Sequence, residues 1–270
     1  MKKIISVLIV TLLLLGMIPA SAAYDTKTTQ AIKGTPVIDG VMDSIWQQAN
    51  EVNVNLVNQT LIPSNSTTTA KAYTMWDDNY FYFLAVVTDT DVWATGGEGE
   101  EVDSVEIAID ETNNKSGQNN VNTTNTAIGV FRVGTNDSQI SGFGGKFTTE
   151  QSNIKGKSTM TDTGYIVEMA IPWTTITPAE GAIIGMEIQI NDSSAGAGRT
   201  GLISWNSIET LGWRDTESHG NVVLAAAPAG TETPASTETP QSTQPGDAGV
   251  IAMVLLAGAS LTGIKKYLRK

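Results

Sequence analysis

The chain of 270 residues contains no cysteine and a single histidine, His219. The absence of cysteine excludes disulfide bonds, thiolate-bound zinc and a catalytic thiol. Since there is one histidine, a Ser-His-Asp triad or a metal site with several histidine ligands would have to use His219. We therefore expect other side chains to carry the function.

Basic side chains are also scarce, with 16 lysines and arginines against 28 aspartates and glutamates. Six of the basic residues and one of the acidic residues lie outside residues 23–244, so this middle segment has 10 basic and 27 acidic side chains and a net charge of −17. Such a surface repels a polyphosphate, which argues against a general nucleic-acid binder.

Residues 1–22 have the pattern of a secretory signal peptide. Lys2 and Lys3 form the charged region, residues 4–18 are almost wholly apolar, and residues 20–22 are small residues suited to cleavage. An uncleaved N-terminal anchor is the alternative interpretation. In both cases the domain that follows is expected to be exported.

A second apolar segment, residues 248–264, is followed by a basic tail. A helix of this length spans about 25 Å, and snorkelling lysines extend it towards a hydrocarbon core of about 30 Å. We predict one C-terminal transmembrane helix, with the preceding domain outside the cell. A soluble buried helix is the alternative. The end resembles a Gram-positive sorting signal, but residues 244–247 lack the threonine of its Pro-x-Thr-Gly core, which favours a retained membrane anchor over attachment to the cell wall.

Between domain and anchor, Thr, Ser, Pro and Glu dominate, and Thr-Glu-Thr-Pro occurs twice. This composition cannot form a core, so we predict an extended, solvated linker. The predicted organisation is a signal peptide (1–22), a folded domain (23–224), a linker (225–247), a transmembrane anchor (248–264) and a basic cytoplasmic tail (265–270).

The folded domain has short β-branched and aromatic runs separated by Gly, Asn and Asp, without a convincing amphipathic helix. This pattern predicts an all-β, antiparallel β-sandwich. Residues 104–110 and 183–191 alternate between apolar and polar, which indicates one core face and one wet or functional face. The predicted strands cover residues 70–76, 80–88, 104–110, 126–133, 165–171, 183–191, 201–205 and 221–224.

Two local patterns refine this prediction. Asp77-Asp78-Asn79 lies between two predicted strands and is typical of a hairpin turn. Asp43 precedes residues 44–49, which are predicted to form a short helix with the aspartate as its N-cap.

No metalloprotease, nucleophile-elbow or phosphate-loop motif is present, and 28 acids make carboxylate pairs uninformative about glycosidase activity. We therefore expect a binding module and not an enzyme. The tryptophans are more informative, because the C–H face of a sugar ring stacks on a flat aromatic ring. Trp93 and Trp213 lie among glycines and charges, as expected for exposed platforms. The tryptophans predicted to pack in the core are Trp46, Trp76, Trp173 and Trp205.

Five segments, in order, resemble family 9 carbohydrate-binding modules, which occur beside xylanases. They are residues 34–46 (GTPVIDGVMDSIW), 103–111 (DSVEIAIDE), 131–133 (FRV), 164–173 (GYIVEMAIPW) and 198–215, which contain GRTGLISW and WRD. The resemblance covers about residues 31–224. It implies a sandwich of the DOMON-like superfamily that binds reducing-end sugars of xylan, cellulose or other plant glucans, in support of glycoside hydrolases.

The resemblance also implies a binding site. In the family two tryptophans enclose the sugar, and Trp213 matches one of them. The second lies three residues before Asp-Ser-Val-Glu, where this chain has Glu100, so Trp93 is our candidate for that role. Carboxylates and guanidinium groups bond sugar hydroxyls around the rim, although a structural ion pair between Glu106 and Arg132 is the alternative for those two. The expected sugar-binding residues are Trp213, Trp93, Glu106, Arg132, Arg199, Asn206 and Thr210.

Structural calcium is a further implication of the resemblance. Calcium takes oxygen ligands, and several acidic loops of this chain offer them. The candidate ligands are Asp89, Asp110 and Asp192.

Two other functions stay open. A sandwich with a degenerate sugar site would serve in adhesion or as a structural surface protein, which Glu100 in place of an aromatic favours. The wider superfamily also contains haem-binding redox domains, in which His219 and a methionine would be the axial ligands. A histidine beside Gly220, near a strand start, is more often a surface residue.

Overall fold

The computed structural model describes residues 26–58, 67–94, 99–115, 128–134, 140–143, 153–194, 197–209, 212–213 and 215–228. Within these ranges the regular elements are strands and short 3₁₀ turns. The strands are β1 (Thr28–Lys33), β2 (Val52–Val54), β3 (Leu56–Val57), β4 (Thr69–Trp76), β5 (Tyr80–Thr88), β6 (Ser104–Asp110), β7 (Ile128–Gly134), β8 (Ile140–Phe143), β9 (Lys155–Thr161), β10 (Gly164–Pro172), β11 (Ile183–Ser194), β12 (Gly198–Ser204) and β13 (Gly220–Ala225).

The strands form one hydrogen-bonded network in the order β8-β7-β6-β11-β13-β1-β4-β5-β10-β9, with β12 also on β11, β3 on β12 and β2 on β4. Strand β1 lies parallel to both β13 and β4, and the other pairings are antiparallel. Side chains of β6 and β11 pack in one core cluster with side chains of β4, β5 and β10. The two halves of the network therefore face each other as a β-sandwich, as the sequence predicts.

The predicted alternation of β6 and β11 identifies which of their side chains pack in this core. Val105, Ile107 and Ile109 of β6 are buried against the isoleucines of β11, so the apolar face is the predicted one. The opposite face is covered instead of wet, since Glu106 and Asn191 are 6% and 0% exposed. Buried polar groups need hydrogen-bond partners, so this second face must be an organised network.

A second, smaller core lies on the outer side of β4, β5 and β10, beneath the segment that carries Trp46. The Glu168 carboxylate holds that segment, because it accepts from Trp46 Nε1 at 2.7 Å and from Gly40 N at 2.6 Å. Gly40 has φ of 83°, and a Cβ there would lie 2.3 Å from Thr159 Oγ1, so glycine is required. Trp46, Trp76 and Trp205 are buried as predicted, while Trp173 is half-buried and packs edge-on against Phe81.

The predicted hairpin is confirmed, since β4 and β5 pair from Thr69↔Thr88 to Trp76↔Phe81 around an Asp77 carboxylate that accepts from Asn79 N and Tyr80 N. All eight predicted strands are present, and β5 and β6 have the predicted bounds. Strands β1, β2, β3, β8 and β9 were not predicted, because they are short or polar and depend on their partners. The predicted short helix over 44–49 is present only as one 3₁₀ turn, Trp46–Gln48, with Ile45 and not Asp43 at its N-cap, although Asp43 Oδ1 accepts from Ile45 N at 3.2 Å.

Several predicted regions lie outside the described residues. They are the signal peptide, the linker beyond residue 228, the apolar segment 248–264 and the basic tail. Among the described residues, no helix has the length and apolar character needed to cross a membrane.

Candidate functional site

A polar network crosses β6, β11 and β12 on the face opposite the main core. Asn191 Nδ2 donates to Glu106 Oε1 at 3.1 Å and to Ser104 Oγ at 3.0 Å. Its Oδ1 accepts from Arg199 Nη1 at 3.1 Å. Asn191 therefore fixes the predicted rim carboxylate and one predicted rim guanidinium relative to each other. Sequence reasoning did not select Asn191 for the rim, although the alternation of β11 puts it on this face.

The backbone of Arg132 on β7 lies directly opposite Glu106, which also pairs with Gln189 on its other side. Only the backbone of Arg132 is described, so the alternative of an ion pair with Glu106 stays a prediction. Thr210 lies outside the described residues. The register nevertheless brings three predicted rim positions, on β6, β7 and β12, to one region around Asn191.

The loop that carries Trp213 lies over the same face. Gly212, directly before Trp213, is buried, and a Cβ there would lie 2.7 Å from Glu187 Cγ and 3.6 Å from Gln189 Cδ. Glu187, Gln189 and Asn191 alternate on one side of β11, so Gly212 packs on the face that holds the polar network. Trp213 itself is half-buried. We define the Trp213 loop as residues 205–219, of which 210, 211 and 214 are not described.

Trp93, the other predicted platform, lies at the opposite end of this face. Its carbonyl oxygen accepts from Asp103 N at 2.9 Å, and its own N–H donates to Asp103 Oδ2. Asp103 directly precedes β6, which attaches the half-buried Trp93 beside Ser104. Glu100, at the position of the family's second tryptophan, is exposed in the 3₁₀ turn Gly99–Glu101.

Asn206 is held by hydrogen bonds to the backbone, unlike a residue at the open rim of a binding site. Its Oδ1 accepts from Lys27 N at 2.7 Å, and its Nδ2 donates to Ser218 O at 2.8 Å. It is 7% exposed, so both ends of the amide are engaged in the frame of the Trp213 loop. The geometry favours a structural role for Asn206 over the predicted sugar contact.

Glu187 is a fully buried carboxylate that sequence reasoning missed. Its Oε1 accepts from the backbone N–H groups of Ile188, Trp205 and Asn206 at 2.9 to 3.1 Å, and its Oε2 accepts from Ser207 N at 2.8 Å. Burial raises the pKa of Glu187 to about 7, against the lowering effect of these four donors. The carboxylate thus holds the start of the Trp213 loop on β11.

His219 is buried and not the surface residue predicted from its neighbour Gly220. Its Nε2 is hydrogen-bonded to the carbonyl oxygen of Gly212 at 2.7 Å, so Nε2 carries the proton. Burial lowers the pKa of His219 to about 4, because the cation would lose its hydration. A haem ligand has to present its imidazole to a cofactor, and this imidazole is enclosed by the Trp213 loop.

Three acidic side chains form a cluster near Trp93 and near Tyr165 of the main core. Asp89, Asp103 and Asp192 are all buried, and one carboxylate oxygen of each lies within 4.8 Å of the others. Burial, aided by the charges of Asp89 and Asp192, raises the pKa of Asp103 to about 7 against backbone N–H donors from Trp93 and Ser193. We call these three residues the acidic cluster.

Three buried polar atoms around the acidic cluster are unpaired among the described residues. Asp89 Oδ2, Ser193 Oγ and the Tyr165 hydroxyl are buried atoms without a hydrogen-bond partner in the part of the chain that the structure describes. Burial, and then the charges of the same three aspartates, raises the pKa of Tyr165. One carboxylate oxygen and two hydroxyl oxygens are oxygen atoms of the kind that can bind a calcium ion.

The cluster overlaps with the predicted metal ligands only in part. Asp89 and Asp192 are members, and Asp103, which sequence reasoning missed, is the third. Asp110 is at the far end of β6, about 20 Å along the strand from Asp103. Its Oδ1 accepts from Thr112 N and Thr112 Oγ1, so it stays apart from the other two candidates.

Residues 38–227 match the family described as carbohydrate family 9 binding domain-like. The chain belongs to this family. It is 38% identical over 204 residues to the exoglucanase XynX of Acetivibrio thermocellus, a match that covers 76% of this chain and 18% of that protein. It is also 38% identical over 217 residues to endo-1,4-beta-xylanase A of Thermotoga maritima, which covers 79% of this chain and 18% of that protein. The chain thus spans less than a fifth of these relatives' length.

Solved structures of family 9 modules agree with this assignment. A module from Caldicellulosiruptor kristjanssonii in complex with cellotriose is 26% identical, with a TM-score of 0.66, and the match covers 77% of this chain and 99% of that chain. A family 9 module from the same organism in complex with glucose is also 26% identical, with a TM-score of 0.65. That match covers 76% of this chain and 100% of that chain. The matched part of this chain is therefore a family 9 module, a non-catalytic carbohydrate-binding domain.

Proposed function

We propose that this family 9 module binds the end of a gluco- or xylo-oligosaccharide on the polar face of β6, β11 and β12. The observation that carries the proposal is the Glu106–Asn191–Arg199 network beside the Trp213 loop. Relatives named as a xylanase and an exoglucanase, and neighbours in complex with cellotriose and glucose, support these sugars as ligands.

The chemistry of the network suits sugar hydroxyls. The Glu106 carboxylate accepts from adjacent hydroxyls, while the Arg199 guanidinium donates through a rigid fork, and Arg132 adds a second guanidinium in our proposal. Because Asn191 already holds Glu106 and Arg199, little side-chain freedom is lost on binding. Trp213 supplies the aromatic face on which the sugar ring stacks.

We further propose that Trp93 forms the second wall of the site. Its attachment to Asp103 supports this role, because Asp103 leads directly into the strand that carries Glu106. Trp93 is bonded to Asp103, which also accepts from Ser193 N of β11, while Gly212, directly before Trp213, packs on Glu187 of the same strand.

The acidic cluster fits a structural calcium ion, which Asp89, Asp103 and Asp192 would hold. The ion would supply positive charge to three buried carboxylates that share few donors. Asp103 also accepts from Trp93 N and Ser193 N, so neutralising it would stabilise the base of the Trp93 segment.

At the level of the cell, we propose that the module is exported and anchored in the membrane, with the sugar site outside and glycoside hydrolases acting nearby. The apolar segments with basic flanks at both ends of the sequence support this location. The binding site would then hold released polysaccharide ends near the cell surface.

Isothermal titration of the purified chain with glucose, cellotriose and xylotriose tests the sugar site. We expect Trp213→Ala to weaken cellotriose binding at least 30-fold, since an aromatic anchor contributes about 2 kcal/mol or more. Arg199→Gln should weaken it about tenfold by removing a charged donor. Lys71→Gln is the charge-matched control, because Lys71 pairs with Glu51 on the other half of the sandwich.

Absence of heat with all three sugars would contradict the proposal and favour the adhesion or structural alternative. Unchanged affinity in Trp213→Ala would contradict the stacking role in particular. Glu100→Trp restores the aromatic of the family pattern. Tighter binding in that variant would indicate that the second wall is incomplete in this chain.

A further inference from the structure

We propose that His219 and Glu187 are positioning residues for Trp213, the platform of the sugar site. Neither side chain belongs to the predicted rim. Both contact Gly212, the residue directly before Trp213, from inside the protein. The inference rests on the proposed function for the role of Trp213, but its geometry is independent of any sugar.

His219 fixes the peptide group that leads into Trp213. Its Nε2–H donates to Gly212 O at 2.7 Å in a fully buried setting, where water cannot replace a lost donor. The backbone of His219 is itself held, since its N–H donates to Thr216 O and its carbonyl oxygen accepts from Lys115 Nζ. The imidazole is therefore a rigid support on one side of Gly212.

Glu187 supports Gly212 from the strand below. A Cβ on Gly212 would lie 2.7 Å from Glu187 Cγ and 3.0 Å from Glu187 Cβ, so the glycine rests directly on this side chain. The oxygens of the same side chain accept from the N–H groups of Trp205, Asn206 and Ser207. One residue thus holds the start of the Trp213 loop and the glycine next to its aromatic residue.

The far side of the Trp213 loop is fixed separately. Asp215 Oδ1 accepts from Glu217 N at 3.0 Å, and Asp215 O accepts from Ser218 Oγ at 2.6 Å. Asn206 joins this turn to the start of the loop through Ser218 O. Since Asp215 and its turn keep these bonds without the His219 donor, we expect loss of that donor to displace Gly212 and Trp213 but not the turn at residues 215–218.

The test compares three variants of the full chain. His219→Leu fills the site without a donor, whereas His219→Gln carries an amide N–H at the reach of Nε2 and keeps the bond to Gly212 O. Tyr82→Phe is the control, because it removes another side-chain hydrogen bond, to Asp77, on the other half of the sandwich. Each variant is titrated with cellotriose at a temperature at which it is fully folded.

The expected result is about tenfold weaker cellotriose binding for His219→Leu, the effect of one buried hydrogen bond of about 1.4 kcal/mol. His219→Gln should recover most of the affinity, and Tyr82→Phe should bind like the wild type despite its lower thermal stability. Equal affinity of His219→Leu and the wild type would overturn the proposal. If His219→Leu does not fold, Gly212→Ala takes its place, with the same expected loss.

A second measurement tests the positioning of Trp213 without a sugar ligand. Fluorotryptophan labelling gives a ¹⁹F resonance for Trp213, identified by its absence in Trp213→Phe. We expect this resonance to shift or broaden in His219→Leu and to stay in place in His219→Gln and Tyr82→Phe. A shift without sugar binding by the wild type would refute the proposed function alone. An unchanged resonance in folded His219→Leu would overturn the positioning role.

Discussion

Buried carboxylates at two places in the sandwich, Glu187 on β11 and the acidic cluster, have opposite environments. Glu187 accepts from four backbone N–H groups. In the acidic cluster, three carboxylates share three backbone donors, from Asp91, Trp93 and Ser193, among the described residues. The first arrangement ties a loop to a strand, while the second concentrates like charges at one point.

Glu187 has counterparts elsewhere in the sandwich. Glu111 accepts from the N–H groups of Thr174, Thr175 and Ile176, and Glu168 holds the segment around Trp46. In each case several backbone donors compensate the desolvation of one carboxylate. Burial raises the pKa of both Glu187 and Asp103 to about 7, so the two sites differ in what the carboxylates contact, which is backbone donors for Glu187 and other carboxylates for Asp103.

The largest effect should follow removal of Glu187. Glu187→Ala removes an acceptor from four backbone N–H groups, of which Trp205 N keeps a second acceptor at Ile188 O, so the free energy of unfolding should fall by about 3 to 5 kcal/mol. Urea denaturation monitored by circular dichroism measures this loss. A loss below about 1 kcal/mol would contradict the stabilising role of Glu187 that distinguishes it from the acidic cluster. It would mean that the four N–H groups are satisfied without the carboxylate.

Calcium should stabilise the protein through the acidic cluster only. At a concentration of about 100 times its dissociation constant, the ion should raise the free energy of unfolding by about 2.7 kcal/mol. Urea denaturation with calcium and with a chelator measures the difference. Asp192→Asn should abolish the response, while Asp110→Asn, outside the cluster, should keep it, and an equal response of both variants would refute the site.

Acid should destabilise the wild type more than His219→Gln. The imidazole binds its proton near pH 6.5 when unfolded but only near pH 4 when folded, so the unfolded state holds more protons between these values. The free energy of unfolding therefore falls as the pH falls through this window. From pH 7 to pH 5 the wild type should lose about 2 kcal/mol relative to the variant. Glu187 has the opposite sign but is present in both proteins, and parallel pH curves would contradict the burial of His219.

The smallest expected effect is a difference in sign between two variants in their change of the free energy of unfolding. In chelator, Asp192→Asn removes one like charge from the cluster and should raise the free energy of unfolding by about 0.5 to 1 kcal/mol. Glu187→Gln should lower it, because one amide cannot accept from all four N–H groups. Thermal denaturation of both variants decides the signs, and destabilisation by Asp192→Asn in chelator would show that the apo cluster is not repulsive.

Much of the fold was predictable because its signals are local. The alternation of β6 and β11 identified their core faces, and the Asp77 turn identified the β4–β5 hairpin. Strand β9 was missed because Lys155–Thr161 is mostly polar and becomes a strand through its pairing with β10. The resemblance identified Trp213, Glu106 and Arg199, whereas the role of Asn191, which connects two of them, emerged from its side-chain hydrogen bonds in the structure.

The sequence by itself determined the family, the strand pattern and the excess of acid, because motifs and two-residue periodicity are properties of neighbouring residues. Only the tertiary structure decided which acids face backbone donors and which face one another. Positions 89, 103 and 192 meet because the end of β5, the start of β6 and the end of β11 lie together, and His219 is buried between β11, where a Cβ on Gly185 would lie 3.3 Å from its Nδ1, and the carbonyl oxygen of Gly212. Desolvation and charge repulsion depend on distance in space, so composition shows that acids are abundant but not which of them lack a partner.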